Sequence, residues 1–324
     1  MPTKSRATLA LSVTALAVLL AGALLPLPTE PQQPVSLRFM TGPQGGSWIP
    51  LGGAIAEVIQ KELPHVKITV MPGAGIANVK AIEAEKADLG FGNANSTADA
   101  IAGRKPFDAA ARNVRHVATL YNQYFQMAVP EDTGIRSVAD FKGKRLAVQP
   151  VGNTGEQITR DSLQAYGLSY ADAAKVNHVS YTDAVELLKN RQADVFTLIS
   201  TIPASAVMDL GTARKVRLVA LDEARVKQLQ QVNVGYARLV IPRGIYPGQD
   251  EDVLTIGTVT HLVASAKLPD ELVGQIAQLL VKHRDALAAV VKDIAKTGPK
   301  DMARDVGLPF HPGAQKAFAK LGAS

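Results

Sequence analysis

The sequence predicts an α/β protein built from two α/β units. From residue 35 onward, short segments rich in β-branched residues alternate with longer segments of helical period, which is typical of parallel α/β architecture. The same alternation starts again after Tyr124–Pro130. Each half also carries a glycine loop between a strand and a helix, Thr41–Trp48 in the first half and Pro150–Gly155 in the second.

The first unit is predicted to run strand, helix, strand, helix, strand. The predicted strands are Val35–Met40, Val66–Met71 and Leu89–Gly92, and the predicted helices are Leu51–Leu63 and Ile76–Glu85. Apolar residues at positions 51, 54, 55, 58 and 59 share one face of the first helix.

The second unit repeats this order. Its predicted elements are a short helix at Ser137–Phe141, a strand at Arg145–Gln149, a helix at Gly155–Tyr166, a strand at Val176–Val179, a helix at Thr182–Asn190 and a strand at Val195–Ile199. The longest amphipathic segment, Leu272–Val291, is predicted to be one helix. Two apolar stretches, Tyr124–Pro130 and Thr258–Ala264, are the candidate connections between the units.

The first residues have the features of an export signal. Lys4 and Arg6 precede the uncharged apolar run Ala7–Leu25, which contains the small-x-small sequence Ala21-Gly22-Ala23. A proline-rich spacer, Pro26–Pro34, follows and cannot continue a helix. Residues 1–30 are therefore expected to be a signal peptide or an uncleaved membrane anchor. Either interpretation exports the remainder, and we expect a periplasmic location.

Composition excludes several function classes. The net charge of +6 is spread along the chain without dense basic runs or interleaved aromatic residues, so no nucleic-acid partner is predicted. The sequence has no cysteine, which excludes disulfides, thiolate zinc sites, a cysteine nucleophile and a lipid-anchor motif. The histidine spacings match no metal motif, and no Gly-x-Ser-x-Gly elbow occurs. We therefore predict no catalytic residue, no metal and no cofactor.

The loop Thr41–Trp48 is a candidate anion site. Gly42, Gly45 and Gly46 allow a close approach of the backbone, and the helix that follows directs its unpaired N–H groups toward the loop. The loop lacks the spacing of nucleotide-binding motifs, so a carboxylate suits it better than a triphosphate. The alternative is a plain strand–helix turn. Trp48 is expected either to form a wall of a pocket or to anchor the core.

Polar residues follow the strand Leu89–Gly92. Asn93, Asn95, Ser96 and Thr97 stand at the carboxyl end of that strand, where open α/β sheets bind ligands. The alternative is capping of a helix over Thr97–Ala102. Tyr121 and Tyr236 could each offer a ring and a hydroxyl to a solute, or could belong to the core.

Several segments resemble the TAXI family of solute receptors, which serve tripartite ATP-independent periplasmic (TRAP) transporters. The matching segments are TGPQGGSWIPLGGAIAEVI, ADLGFGNANSTADAIAG, IRSVADFKGKRLAV, YPGQDEDVLTIGT and GLPFHPGAQKAFAKLG. The resemblance spans roughly residues 35–322, which is nearly all of the chain after the export signal.

The resemblance implies a type II periplasmic-binding-protein fold, with two α/β lobes joined by a two-strand hinge. Lobe I would comprise residues 35–127 and 259–324, and lobe II residues 128–258. The ligand would be a small organic anion, a dicarboxylate or an acidic amino acid, delivered to TRAP-type permease subunits. Such a receptor is expected to be a monomer and not an enzyme.

By position, the resemblance places ligand contacts on both glycine loops and on the strand ends between them. These contacts are Thr41, Gly46, Ser47, Trp48, Asn93, Asn95, Tyr121, Gly152, Asn153, Thr154, Gly155, Glu156 and Gln157, to which the residue patterns add Gly45 and Tyr236. The family usually has Gln-Ser-Asp where this chain has Asn93-Ala94-Asn95. Loss of that carboxylate weakens recognition of a ligand ammonium group, so a dicarboxylate is the first expectation.

Two alternatives remain at this point. The chain could be the binding protein of an ABC importer or of a sensor kinase. It could also be an enzyme on the same two-lobed fold, for which Glu156 and Tyr121 are the available candidates for a base and a nucleophile.

Overall fold

The computed structural model describes residues 33–323, so the expected signal peptide or anchor in residues 1–30 lies outside the described residues. Val35–Ser324 forms one compact unit. Within the described part of the chain, no helix is both long and apolar enough to cross a membrane.

The first half follows the predicted order of elements. It consists of β1 (Val35–Met40), α1 (Trp48–Glu62), β2 (Val66–Met71), α2 (Gly75–Glu83), β3 (Leu89–Asn93), α3 (Ala94–Ala102) and the long strand β4 (Val114–Pro130). Helix α1 begins three residues before the predicted Leu51, because the N–H of Leu51 already reaches the carbonyl of Ser47 at 3.2 Å. Pro50 is accommodated there, since the first turn requires no N–H from it.

The second half also contains the predicted elements, with ends shifted by at most one residue. It consists of β5 (Arg145–Val148), α4 (Thr154–Ala165), β6 (Lys175–His178), α5 (Tyr181–Lys189), β7 (Val195–Ser200), α6 (Ser205–Ala213), β8 (Val216–Leu218), α7 (Glu223–Val232), β9 (Ala237–Ile241) and β10 (Val253–Ser265). Short 3₁₀ turns occupy Glu131–Thr133, Val138–Phe141 and Tyr170–Asp172.

The prediction of one helix over Leu272–Val291 is wrong. The segment is divided between α8 (Asp270–Lys282) and α9 (Arg284–Ala288). A 3₁₀ turn at Lys292–Lys296, α10 (Pro299–Met302) and α11 (Pro312–Lys320) follow it. The break falls at His283, whose backbone leaves helical geometry (φ −103°, ψ 18°). The imidazole Nε2 of His283 lies 2.7 Å from the carboxylate of Glu62 on α1. Apolar periodicity contains no information about this tertiary contact.

One sheet runs through both halves, in the order β2-β1-β3-β10-β4-β7-β5-β6. Strand β1 is parallel to β2 and β3, and β5 is parallel to β6 and β7, as the α/β pattern predicts. The centre is the antiparallel pair of β4 and β10. Strand β10 pairs with β3 through Thr260–Ala264, whereas β4 pairs with β7 through Tyr124–Ala128. This long pair is the two-strand connection between the lobes.

Separate hydrophobic cores form on the two sides of this connection. In the first half, Leu51 of α1 and Phe91 of β3 share a core with Leu280 of α8 and Phe318 of α11. The C-terminal helices therefore pack on the first half of the chain. In the second half, one core covers α4 and α7, and another covers α5 and α6.

Candidate ligand-binding cleft

A small cavity lies where loops and strand ends of both halves meet. It has a volume of about 20 Å³, which is room for about one water molecule. The lining residues are Pro43, Gly46, Ser47, Trp48, Asn93, Gln123, Asn153, Tyr181 and Ile199. Five of the predicted contacts are in this set, namely Gly46, Ser47, Trp48, Asn93 and Asn153.

Four helices begin at the cavity. Ser47 immediately precedes α1, Asn93 precedes α3, Asn153 precedes α4, and Tyr181 is the first residue of α5. Each helix has at least nine residues and places the positive end of its dipole at the cavity. In α4 and α5 one N–H group of the first turn is already capped, and each of these first turns carries an acidic residue, Glu156 or Asp183. The backbone contribution of positive potential therefore comes mainly from α1 and α3.

Two of the residues at these helix starts direct their side chains away from their own helices. Ser47 Oγ lies 3.3 Å from the hydroxyl of Tyr121, and Asn93 Nδ2 donates to Gln123 Oε1 at 2.9 Å. The first turns of α1 and α3, both wholly within the described residues, contain no acidic residue. Pro50 contributes no N–H group to the first turn of α1, and the N–H group of Asn95 in α3 donates to Thr258 Oγ1 at 3.3 Å. The remaining N–H groups of these turns can donate to an anion.

The capping interpretation of the segment after β3 needs correction. Helix α3 begins at Ala94, three residues before the expected Thr97, and Asn93 occupies the position before it. Thr97 lies inside the first turn, where its hydroxyl donates to the carbonyl of Asn93 at 3.2 Å. Asn93 therefore faces the cavity and Gln123 instead of capping α3 with its side chain.

The polar groups around the cavity are uncharged. The nine lining residues, all in the described part of the chain, include no Arg, Lys, His, Asp or Glu. Burial raises the pKa of Tyr121 to about 12 and also raises the pKa of Tyr181, because the phenolate would lose its hydration. Both hydroxyls stay protonated at neutral pH and can donate hydrogen bonds.

Trp48 both anchors the core and forms part of the cavity wall. It is 5% exposed, it lies 5.3 Å from the ring of Phe91 in the first-half core, and one edge lines the cavity. Its indole Nε1 donates to Thr260 Oγ1 on β10 at 3.3 Å.

Three predicted contacts of the first half, Thr41, Gly45 and Asn95, are not among the lining residues of the cavity. Thr41 is buried and its hydroxyl donates to the carbonyl of Met71 at 2.8 Å. Gly45 has φ +82° and packs against Thr182 at the start of α5. Asn95 is buried, and neither atom of its amide has a hydrogen-bond partner among the described residues.

Two predicted contacts of the second loop join the two halves. Gly152 has φ +89°, and its carbonyl accepts a hydrogen bond from the N–H of Ala77 at 3.2 Å. Thr154 Oγ1 lies 2.7 Å from Ser96 Oγ on α3. Both contacts lie outside the set of residues that line the cavity.

The remaining predicted contacts lie deeper in the second half. Gly155 is covered by the side chain of Gln149, whose amide nitrogen and oxygen have no partners within the described residues. Gln157 donates to Asp99 at 3.0 Å, and Tyr236 donates to Asp161 at 2.6 Å.

Glu156, the acid considered as a base, is also engaged. Its Oε1 accepts from Arg160 Nε at 2.9 Å and from the hydroxyl of Tyr170 at 3.2 Å. The Tyr121 hydroxyl is directed to Ser47, on the cavity side. The Glu156 carboxylate and the Tyr121 hydroxyl, the two groups considered for an enzyme, therefore hydrogen-bond to different partners.

The sequence reasoning missed four lining residues. Pro43 lay inside the predicted loop, but Gln123, Tyr181 and Ile199 had not been considered. Tyr181 donates to the carbonyl of Ile199 at 2.7 Å and forms the wall opposite the first loop. One signal was available, because Tyr181 follows Ser180 at a strand-to-helix junction that repeats the pattern of the two glycine loops.

Two α/β lobes around a cleft at their strand ends define a periplasmic solute-binding protein with the type II periplasmic-binding-protein fold. Residues 39–322 match the model of the NMT1-like family, a family of periplasmic solute-binding domains. The chain belongs to the NMT1-like family.

Solved structures share this fold. PhnD1 from Prochlorococcus marinus (MIT 9301), in complex with methylphosphonate, matches with a TM-score of 0.54 and 12% identity over 90% of this chain and 100% of that chain. A putative L-cystine ABC transporter from Listeria monocytogenes matches with a TM-score of 0.50 and 15% identity over 82% and 98%. The alkanesulfonate-binding protein SsuA from Xanthomonas axonopodis pv. citri, bound to MOPS, matches with a TM-score of 0.47 and 20% identity over 89% and 85%. At these identities the likeness to PhnD1 and to the L-cystine transporter protein shows the fold alone.

Proposed function

We propose that the protein binds a small organic anion in this cleft and delivers it to a membrane permease. The observation that carries the proposal is the convergence of four helix starts on one cavity without a charged side chain in its lining. Backbone N–H groups at helix starts bind the oxygens of carboxylates, sulfonates and phosphonates well. Water exclusion in a closed cleft strengthens each of these hydrogen bonds.

A dicarboxylate is the proposed ligand class, ahead of an acidic amino acid. An amino acid brings an ammonium group, which usually requires a carboxylate partner when it is buried. Asn95 supplies an amide where the TAXI family usually has an aspartate, and Glu156 is paired with Arg160. These features support an anion without an ammonium group.

The lobe boundaries proposed are residues 35–127 with 259–324 for lobe I, and residues 128–258 for lobe II. The core shared by α1 and the C-terminal helices supports the return of the chain to lobe I. The change of strand partners on β4 at Tyr124 supports a boundary in this region. The ligand would enter between the lobes, which would then rotate about β4 and β10.

For transport we propose a TRAP permease of the TAXI type, on the basis of the sequence resemblance over residues 35–322. An ABC importer is the alternative, favoured by the L-cystine ABC transporter that shares the fold. The genes next to this one distinguish the two, since only an ABC importer requires an ATPase subunit. We further propose that the mature protein is an exported monomer and has no enzymatic activity.

A thermal-shift and calorimetry screen tests the ligand class. The panel comprises succinate, glutarate, L-glutamate, methanesulfonate and methylphosphonate, with succinamide as the uncharged match for succinate. A ligand at a hundred times its Kd stabilises the folded state by about 2.7 kcal/mol, which raises Tm by several degrees. We expect succinate to stabilise the protein and succinamide to have no effect. The proposal fails if no acid stabilises the protein, or if a bound acid is turned over.

A further inference from the structure

Asp99 on α3 is a buried carboxylate with three side-chain donors. It is 4% exposed. Its Oδ1 accepts from Arg104 Nε at 2.9 Å, while its Oδ2 accepts from Gln157 Nε2 at 3.0 Å and from Asn233 Nδ2 at 2.9 Å. A carboxylate removed from water needs such donors to remain charged.

Two of the three donors come from the other half of the protein. Gln157 lies on α4, and Asn233 directly follows the last residue of α7. Both helices pack into the same second-half core, through Ile158, Leu163, Val226 and Leu229. Ala100, next to Asp99, belongs to a first-half core. The hydrogen bonds of Asp99 therefore connect two separately packed bodies.

Neighbouring contacts connect the same two bodies. Asn233 Nδ2 lies 3.2 Å from the carbonyl of Asn95, and the hydroxyls of Ser96 and Thr154 lie 2.7 Å apart. On this face, polar groups hold the halves together. Polar contacts of this kind can exchange with water when they separate, unlike a large apolar interface.

We propose that Asp99, Gln157 and Asn233 form a latch that holds the cleft closed and sets ligand affinity from outside the cavity. Among the described residues, these three lie outside the cavity lining. The ligand-loaded closed form would keep these contacts, so their loss would raise the apparent Kd by lowering the fraction of protein that can close over the ligand. Asp99 is thus a positioning residue, and this proposal rests on the proposed solute-binding function.

The first test measures closure without any ligand. The chain has no cysteine, so Glu57→Cys on α1 and Gln164→Cys on α4, both exposed, give two unique dye positions. In this background Asp99→Asn retains the size of the side chain but turns an amide NH₂ toward the two donors. We expect single-molecule energy transfer to show a larger open population than in the parent. Asp108→Asn is the matched control, since Asp108 is exposed and pairs only with Lys105.

The second test is a charge exchange across the latch. Gln157→Glu places a second carboxylate against Asp99 and should increase the open population. The double variant Asp99→Asn with Gln157→Glu pairs an amide with a carboxylate again, and we expect it to restore closure. If the two residues had only separate structural roles, their effects would add, and the double variant would have a larger open population than either single variant.

The third test measures affinity, with succinate as the probe. Losing one charge-assisted hydrogen bond of about 1.5 kcal/mol lowers the ratio of closed to open protein roughly tenfold, and the Kd rises by up to that factor. We expect Asp99→Asn to show this rise while the preference order among succinate, glutarate and L-glutamate stays as in the parent. The latch is overturned if Asp99→Asn has the same open population as the parent, or if the double variant does not restore closure. It is also overturned if Asp99→Asn changes the order of preference among the three acids. If no acid binds the parent, the proposed function fails, whereas the ligand-free closure measurement still decides the latch.

Discussion

The Nδ1 atoms of His116 and His261 lie 2.9 Å apart between the central strands β4 and β10. Both side chains are fully buried, and the ring of His116 also packs on Phe310. Burial lowers the pKa of His116 to about 3 and holds the pKa of His261 well below its ordinary value, because a charged imidazole would lose its hydration. One ring donates and the other accepts, so both are neutral in the folded protein.

Because of this pair, the folded protein should lose stability on acidification already at pH values above those at which carboxylates titrate. The folded pKa lies below the unfolded value of about 6.5, so the unfolded chain binds more protons and stability falls as pH decreases below 6.5. For His116 alone, the free energy of unfolding should fall by about 2 kcal/mol between pH 7 and pH 5. Denaturant unfolding at several pH values measures this slope. Proton uptake close to zero on unfolding at pH 5 would contradict the neutral pair.

Asn93→Asp should weaken anion binding. The new carboxylate would face the cavity from the start of α3, where Asn93 now donates to Gln123. Repulsion of a ligand oxyanion should raise the Kd for succinate at least tenfold. The position is 1% exposed and the carboxylate cannot donate to Gln123, so Tm should fall as well. Calorimetry and thermal unfolding measure the two quantities. Asn190→Asp, on the exposed end of α5, is the control and should leave the Kd unchanged.

Gly75→Ala should keep the cleft from closing. A Cβ at this position would overlap Thr154 Oγ1, which belongs to the opposite half, and would come 2.7 Å from Asn93 Oδ1. The open form can accommodate the methyl group, so we expect a loss of succinate affinity with a parental Tm. Gly53→Ala provides a comparison, because no atom lies within 4 Å of a Cβ there. This control should retain its affinity and gain up to about 1 kcal/mol of stability from helix propensity.

Trp48 should report ligand binding by fluorescence. It is the one tryptophan of the sequence, and it lines the cavity while its ring remains 5% exposed. Titration with succinate should change its emission and reduce quenching by acrylamide, with the same Kd as calorimetry. Emission that is insensitive to a ligand detected by calorimetry would place that ligand away from this cavity.

Much of the local structure could be predicted from residue patterns. The ends of β1 and β2 match their predictions at Val35–Met40 and Val66–Met71, because β-branched alternation is bounded by turn residues on both sides. The glycine loop before Trp48 reaches the cavity, since the carboxyl ends of parallel strands share one edge of a sheet. Local propensity and sheet geometry are sufficient for both results.

Tertiary structure decided which side chains meet. Gln123 reaches the cavity because β4 pairs with β10 beside β3, and Tyr181 reaches it because α5 faces the first loop across the cleft. Periodicity could not reveal the break at His283, which accompanies a contact with Glu62, 221 positions away in sequence. The sequence alone thus determined the α/β elements and the position of the glycine loop at the cavity. The packing of the two halves determined the cavity wall and the Asp99 contacts, because these depend on residues that only long-range strand pairing brings together.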